Sequence, residues 1–391
     1  MSILLKNSNF IGLNNLEIAE LEDLFIDNSG YIRKEKPVVY EKTLDLKDYY
    51  ISPGWIDLHT HIFHLISNIG LNPDDIGPKT GVSVLVDAGS AGEVNFNGFK
   101  EYIIKSRNYP VYSFINIGST GLMLANNLSE LDSLKKIMIE NLIECIENNR
   151  DYIKGVKLRA SGVILRGLGF EIVKLAKKVA KEVDLPLMVH VGEPLPLLED
   201  ILPCLEAEDI VTHVYHGKRW GIFEGNNLIP EVKEALARGV KFDLGHGEAS
   251  FDFNVAEKAI SKGFKPYTIS SDLHRNNLNG PVYDLATTIS KMLNLGFSLE
   301  ELIEMVSHNP AEILKIESYR EDFFDKEARF TVFKIEEGCY SFKDSNNNQQ
   351  TMGKFIKPVY TIIGSDIIKA GTNYPLSNII RERGQKYGRK G

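Results

Sequence analysis

The sequence has few cysteines, no long apolar run and no excess of positive charge. Its three cysteines, Cys145, Cys204 and Cys339, stand far apart among 391 residues and form no paired motif. This usage excludes a disulfide framework and a zinc ribbon, and it suits a reducing compartment. The formal net charge of −8 argues against a nucleic-acid partner, because phosphate backbones select basic surfaces.

Signals for membranes and export are also missing. No run approaches the ~18 consecutive apolar residues that a membrane-spanning helix needs. The first twenty residues contain no basic segment followed by an apolar one, as a signal peptide would. We therefore expect a cytoplasmic protein without a membrane partner. The basic end "IIRERGQKYGRKG", residues 379–391, is interpreted as a solvated tail.

The chain is long enough for one large domain with a satellite, or for two ordinary domains. Residues 1–52 alternate short apolar pieces with turn signals, which is typical of short strands. After Pro53-Gly54 the pattern changes to apolar runs of about six residues separated by amphipathic segments, as in proteins with buried parallel strands.

Eight such runs follow one another, and polar residues gather toward their C-terminal ends. The runs are "WIDLHTH" (55–61), "VSVLVDAG" (82–89), "VYSFINIG" (111–118), "GVKLRAS" (155–161), "LMVHVGE" (187–193), "IVTHVYHG" (210–217), "VKFDLGHG" (240–247) and "YTISSDLH" (267–274). Eight strand–helix units predict an α/β protein with a (β/α)₈ TIM barrel, whose active site lies at the strand C-termini. A doubly wound open sheet is the alternative, and the lack of a G-x-G-x-x-G after the first strand weakens it.

The two ends of the chain are predicted to form one further domain. The segment "SLEELIEMVSHNPAEILKI" is typical of a closing helix pair, and beyond it the sequence returns to short strands and loops. The simplest arrangement is a barrel over residues 53–318 and a small β-sandwich domain built from residues 1–52 and 319–391.

Histidines mark the first predicted barrel strand. In "ISPGWIDLHTHIFH", His59 and His61 are two residues apart, so their side chains point to the same side of a strand. Two imidazoles at that spacing can ligate one metal ion, but most H-x-H pairs in arbitrary sequences are ordinary surface or core histidines.

Other strands add donors of the same kind. Eight of the nine histidines lie in or just beyond the C-terminal half of a predicted strand. The fourth strand carries Lys157, where a charged amine in a strand interior needs a special reason, and the eighth ends with Asp272. Imidazole and oxygen ligands suit Zn²⁺, with Mn²⁺ or Fe²⁺ as alternatives. The candidate metal ligands are His59, His61, Lys157, His190, His213 and Asp272.

These motifs, in this order, resemble the amidohydrolase superfamily of metal-dependent hydrolases. The matching segments are "PGWIDLHTH", the strand-four lysine, "VHVGE", "VTHVYHGK", "SSDLH" and "HNPAEILKI". The resemblance implies two divalent ions, with His59, His61 and Asp272 on one and His190 and His213 on the other. It also implies a carbamate, formed from CO₂ on Lys157, that bridges both ions.

The resemblance further implies the reaction. A hydroxide shared by the two ions would attack an acyl carbon, since metal coordination lowers the pKa of water to about 7. Asp272 would accept its proton and pass it to the leaving group. Among branches of the superfamily, "GVKLRASG", "THVYHGK" and "FDLGHGEASFDF" are similar to the amidohydrolase/deacetylase metallohydrolases. Dihydroorotases place an arginine two residues after the second histidine, where this chain has Phe63.

Strand alternation indicates further residues near the predicted metals. Arg159 lies two positions past Lys157, so its guanidinium could bind a substrate carboxylate or pair with a loop acid such as Glu193. By the same alternation, Tyr215 and His274 are candidates for substrate binding. His64, His216 and His246 are candidates as pocket residues, and the alternative for them is a loop histidine that only hydrogen-bonds nearby backbone.

We therefore expect a binuclear hydrolase that cleaves an amide or ester acyl bond of a small, carboxylate-bearing molecule. Within the enzymes, the alternatives are a cyclic amide hydrolase of the dihydroorotase or hydantoinase type and a heterocycle deaminase. Outside them, the chain could be a scaffold relative that kept the barrel and lost the chemistry. A homo-oligomer is compatible with the sequence.

Overall fold

The computed structural model describes residues 1–12, 23–35, 39–125, 127–319 and 323–379, and the fold is given for these. Of the basic end predicted as a tail, residues 380–391 lie outside the described residues. Within the described ranges, every helix is too short or too polar to cross a lipid bilayer.

The N-terminal residues form short strands, as their turn signals predict. The strands are β1 (Ile3–Lys6), β2 (Asn9–Phe10), β3 (Leu24–Ile26), β4 (Ile32–Arg33), β5 (Lys42–Asp45) and β6 (Tyr50–Pro53). One four-stranded sheet has the order β4-β3-β1-β5, whereas β2 and β6 belong to a second sheet with C-terminal strands.

The middle of the chain forms a barrel of parallel strands. Its strands are β7 (Trp55–Thr60), β8 (Val82–Ala88), β9 (Val111–Asn116), β10 (Ile153–Arg159), β11 (Leu187–His190), β12 (Ile210–Thr212) and β15 (Lys241–Asp243), and they neighbour one another in chain order. The segment that ends in Asp272 takes the eighth place, because Thr268 bridges Asp243 and Leu273 bridges Thr60 in parallel. The predicted (β/α)₈ barrel is thereby confirmed.

Between β12 and β15 the chain adds a small antiparallel pair, β13 (Phe223–Glu224) and β14 (Asn227–Leu228). The α-helices of the described chain are α1 (Phe96–Phe99), α2 (Ile139–Glu147), α3 (Gly162–Leu165), α4 (Glu171–Glu182), α5 (Leu198–Ile201), α6 (Pro230–Ala237), α7 (Phe253–Ser261), α8 (Leu285–Asn294), α9 (Leu299–Val306) and α10 (His308–Leu314). Apolar stripes at helical spacing explain them: α4 buries Ile172, Val173, Ala176, Val179 and Ala180. The predicted closing pair is α9 and α10, and a capping box of Ser298 and Glu301 starts α9.

A long hairpin follows the barrel, where the sequence predicted only short strands. Strands β16 (Arg329–Lys343) and β17 (Gln349–Ile363) are fifteen residues each, and β18 (Asp366–Lys369) pairs with β17. Together with β6 and β2 they form the five-stranded sheet β18-β17-β16-β6-β2. The hairpin is long because its two halves pack in two different hydrophobic cores. Phe330 and Ile362 pack in the β domain, whereas Phe342 and Phe355 pack with the barrel.

The two terminal sheets face each other as a sandwich. Ile3 and Leu24 of the four-stranded sheet share one buried cluster with Ile51 and Val332 of the five-stranded sheet. The β-sandwich predicted from both chain ends is therefore confirmed as an architecture. Its limits at residues 52 and 319 stay a prediction.

Candidate metal centre

Two histidines at the end of β7 face an aspartate on the eighth barrel segment. The Nε2 atoms of His59 and His61 lie 3.4 Å and 3.1 Å from Oδ1 of Asp272. The backbone of Asp272 has a φ of 50°, and its N–H donates to the carbonyl oxygen of His59 over 2.7 Å. The three side chains are buried. The closing segment of the barrel thus places a carboxylate between the two imidazoles.

Lys157 of β10 reaches the same place from the opposite side of the barrel. Its Nζ lies 3.2 Å from Nε2 of His59 and 3.3 Å from the Met188 sulfur. Gly89 makes room for its stem, because a Cβ there would lie 2.8 Å from Cγ of Lys157. Burial lowers the pKa of Lys157 to about 7. At neutral pH, Lys157 is therefore a neutral amine in a large fraction of the molecules.

His190 and His213 form the other half of the cluster. His190 is the last residue of β11, His213 directly follows β12, and their ring centroids are 4.3 Å apart. The centroid of His213 is also 5.1 Å from that of His59. Burial lowers the pKa of His190 well below its usual value and the pKa of His213 to about 3. Both imidazoles are neutral and keep a lone pair for a ligand.

Hydrogen bonds behind the rings fix which nitrogen carries the proton. Nδ1 of His59 lies 3.1 Å from the Thr212 hydroxyl, which itself donates to Asp243 over 2.7 Å. Since the one hydroxyl proton is used there, His59 donates from Nδ1 and leaves Nε2 as an acceptor. His213 donates from Nδ1 to the carbonyl of Gly245 over 2.7 Å. Such partners orient metal-binding histidines.

His61 is held in a similar way, with Nδ1 3.0 Å from the Ser90 hydroxyl. Sequence reasoning missed Thr212, Asp243 and Ser90. Thr212 and Asp243 are polar residues inside predicted strands, which is an available signal, because a buried strand interior rarely carries them without a partner.

The donor set fits a divalent cation. Within the described chain, Nε2 of His213 and Oδ1 of Asp272 are buried without a hydrogen-bond partner. One ligand atom each of His59, His213 and Asp272 lies within 4.8 Å of the others. Buried acceptors without partners are costly, and a cation bound among them removes that cost.

Above these residues lies a cavity of about 230 Å³. Its floor contains five of the six predicted ligands, and its walls come from the loops after the strands. The wall residues are Ile69, Ala125, Arg159, Val163, Ile164, Glu193, Lys218, Glu248, Ala249, Ser250, His274 and Asn276. A small molecule could enter over the buried imidazoles, as at the C-terminal face of other barrels.

Arg159 and His274 border this cavity, as the alternation from Lys157 and Asp272 predicts. Nε of Arg159 lies 3.3 Å from the buried Glu130 carboxylate, so its acid partner is Glu130. Glu193, the partner considered from the sequence, instead pairs with Lys218 and accepts from Ser161 over 2.7 Å.

Tyr215 does not join the described cavity wall. Its hydroxyl donates to the carbonyl of Phe264 over 3.0 Å, and its ring is fully buried. The prediction assumed that the strand continues beyond His213. In the structure β12 ends at Thr212, and His213 has a φ of 75°, which breaks the alternation.

Three predicted histidines also lie away from the described cavity wall. Nε2 of His246 lies 2.7 Å from Nζ of Lys291, which donates to it. Nδ1 of His216 accepts from the backbone of Lys218 over 3.2 Å. His64 is half-buried beyond the end of β7. Each lies beyond the end of its strand, where strand alternation no longer predicts the direction of a side chain.

The chain is similar to amidohydrolases and to proteins named deacetylase. Residues 50–323 match the amidohydrolase family, and residues 324–368 match a deacetylase-like composite domain. A protein of Brucella anthropi named deacetylase is 42% identical over 85% of this chain and 83% of its own length. A deacetylase of Agrobacterium fabrum is 39% identical over 95% and 93%. A crystal structure described as a dihydroorotase superposes with a TM-score of 0.89 at 38% identity, over 95% of this chain and 98% of that one.

Proposed function

The chain belongs to the amidohydrolase family and is a hydrolase, and we propose that it removes an acyl group from a small carboxylate-bearing amide or ester. The observation that carries the proposal is the set of buried imidazoles around Asp272 and Lys157 at the cavity floor. The deacetylase names of the two relatives support an acyl substrate. Its three cysteines are free thiols, which supports a reducing compartment, the cytoplasm, as the location of the protein.

Two divalent ions, with Zn²⁺ as the proposed metal, would be held by these residues. His59, His61 and Asp272 would bind one ion, and His190 and His213 the other. The Nζ of Lys157 would attack the carbon of CO₂ and lose a proton, and the resulting carbamate would add anionic oxygen ligands to the set. When bound, such ions polarise the acyl carbonyl and lower the pKa of water to about 7.

The chain's own groups would then carry the proton and hold the substrate. Asp272 takes the proton from the attacking water and returns it to the leaving nitrogen or oxygen, as a general base and acid does. Arg159, anchored at Nε on Glu130, binds the substrate carboxylate. Thr212 and Ser90 keep the imidazoles of His59 and His61 in position.

Removal of the metal is expected to abolish hydrolysis reversibly. Protein expressed with added zinc should contain about two ions per chain, and it should hydrolyse N-acetyl amino acids or acetylated 2-hydroxy acids. A chelator should stop the reaction, and added Zn²⁺ or Mn²⁺ should restore it. Full activity of metal-free protein, or no hydrolysis by metal-loaded protein, contradicts the proposal.

A cyclic amide hydrolase is the second candidate, which the likeness to the dihydroorotase structure favours. Phe63 argues against it: where dihydroorotases carry an arginine, this side chain is buried and packs edge-on against Phe99 at 5.1 Å. Adding cyclic ureides to the same assay separates the two candidates, and ammonia release would reveal a deaminase.

Replacement of Arg159 should weaken binding of anionic substrates specifically. We expect Arg159→Met to raise KM about tenfold or more for carboxylate substrates, because a charged hydrogen bond is lost. A neutral amide of the same substrate should lose much less. The double change Arg159→Met/Glu130→Gln is the control, because it removes the carboxylate that the single variant leaves unpaired. Equal losses on neutral and anionic substrates would exclude the carboxylate role.

A further inference from the structure

The tip of the long hairpin reaches the loop that forms one wall of the cavity. Residues 344–348 connect β16 to β17, and residues 246–252 follow barrel strand β15. Within that loop, Glu248, Ala249 and Ser250 line the cavity. The backbone N–H of Ser345 donates to the carbonyl of Phe251 over 2.9 Å. A residue of the β domain therefore contacts a cavity loop directly.

The hydroxyl of Ser345 holds both ends of this wall segment. Its Oγ accepts from the N–H of Phe251 over 3.1 Å and donates to the carbonyl of Gly247 over 3.2 Å. The bonded residues flank the three that line the cavity. One side chain thus limits how far Glu248, Ala249 and Ser250 can move as a group.

The tip is itself well fixed. The buried Asp344 accepts from the N–H groups of Asn346 and Asn348 over 2.8 Å and 2.9 Å through Oδ1. Its Oδ2 accepts from the N–H of Phe253 over 3.2 Å. Asn346 also donates to the Asp252 carboxylate over 2.6 Å. Since these bonds join the tip to the barrel on both sides of Ser345, the hydroxyl is a rigid support.

Gly247 connects this support to the metal centre. Its φ is 60°, and a Cβ there would lie 2.6 Å from Oδ2 of Asp272. Its N–H donates to the carbonyl of Ser271 over 3.0 Å. A shift of the Gly247 backbone would therefore press on the carboxylate, or open a gap beside it.

We propose that Ser345 of the β domain is a positioning residue that holds the 248–250 wall in its substrate-binding geometry. The proposal rests on the proposed function, because it concerns how that substrate is bound. It gives the hairpin a part in substrate binding, although no hairpin residue lines the cavity in the described chain.

The test compares Ser345→Ala with two matched variants of the holoenzyme. Ser345→Thr keeps the hydroxyl. Gln350→Ala removes another contact of the same hairpin, the 2.8 Å bond to Glu257 on α7, which is away from the wall. We expect Ser345→Ala to raise KM about tenfold for the best acyl substrate, with metal content unchanged. The KM of Ser345→Thr should lie close to the wild-type value, and the KM of Gln350→Ala should equal it.

Amide hydrogen exchange gives a readout that needs no substrate. The amides of residues 247–251 should exchange faster in Ser345→Ala and not in Gln350→Ala. A merely structural role of Ser345 would lower the fraction of active enzyme and leave KM unchanged. If Ser345→Ala gives that result while the wild type hydrolyses acyl substrates, the positioning role is overturned and the proposed function stands. Wild-type protein that hydrolyses no acyl substrate would overturn the proposed function, and the positioning role with it.

Discussion

Lys157→Ala should lower hydrolysis by about a thousandfold or more, and short carboxylic acids should restore part of it. The change removes the amine that would carry the bridging carbamate, and with it several kcal/mol of transition-state stabilisation by the metal centre. Formate, acetate or propionate could enter the space left beside Met188 and Gly89 and offer two oxygens in place of the carbamate. The measurements are turnover and bound metal with and without each acid.

Lys291 offers a matched control for this prediction. It is also fully buried, and burial lowers its pKa to about 7. Its Nζ donates to His246 and to the carbonyls of Pro281 and Lys343, and unlike Lys157 it does not line the described cavity. A carboxylic acid should not rescue Lys291→Ala. ¹³C-labelled bicarbonate should give a carbamate signal that only Lys157→Ala loses. Full activity of Lys157→Ala, or equal rescue of both variants, would contradict the carbamate.

The sequence was sufficient to predict the parts of the site that depend on regular strands. Parallel strands end at one edge of a barrel, so donors from distant runs had to meet there. Within β7 and β10, alternation predicted that His59 and His61 face the same space and that Arg159 lies beyond Lys157. The metal-binding roles of these residues stay a prediction.

The sequence could not predict side-chain directions and contacts beyond the ends of the strands. The left-handed backbone at His213 ends the alternation on which the Tyr215 prediction rested. Thr212 stands out in the sequence as a polar residue inside a strand, but its partners His59 and Asp243 belong to other strands. Ser345 contacts a loop about a hundred residues away in the chain, and no local pattern encodes that contact. The length of the β16–β17 hairpin has a similar cause, because its outer half is stabilised by packing on the barrel and not by strand propensity alone.

The second large effect is expected for Asp272→Asn. The amide keeps the size of the side chain but accepts a proton far less readily, so we expect amide hydrolysis to fall by about a thousandfold or more. A nitrophenyl ester should lose much less, because its leaving group departs as a stable anion and needs no proton. The ratio of the two losses measures proton delivery separately from metal binding.

Asp57→Asn is the control for that ratio. Asp57 is fully buried, and burial raises its pKa to about 7. Its Oδ1 accepts from the N–H of Ser271 over 3.0 Å, so it supports the segment that carries Asp272 without reaching the cavity. Any loss of activity in Asp57→Asn comes from displacement of Asp272, and it should be equal for the amide and the activated ester. If Asp272→Asn also slows both substrates equally while metal is retained, Asp272 does not deliver the proton, and another group on the cavity wall must be sought.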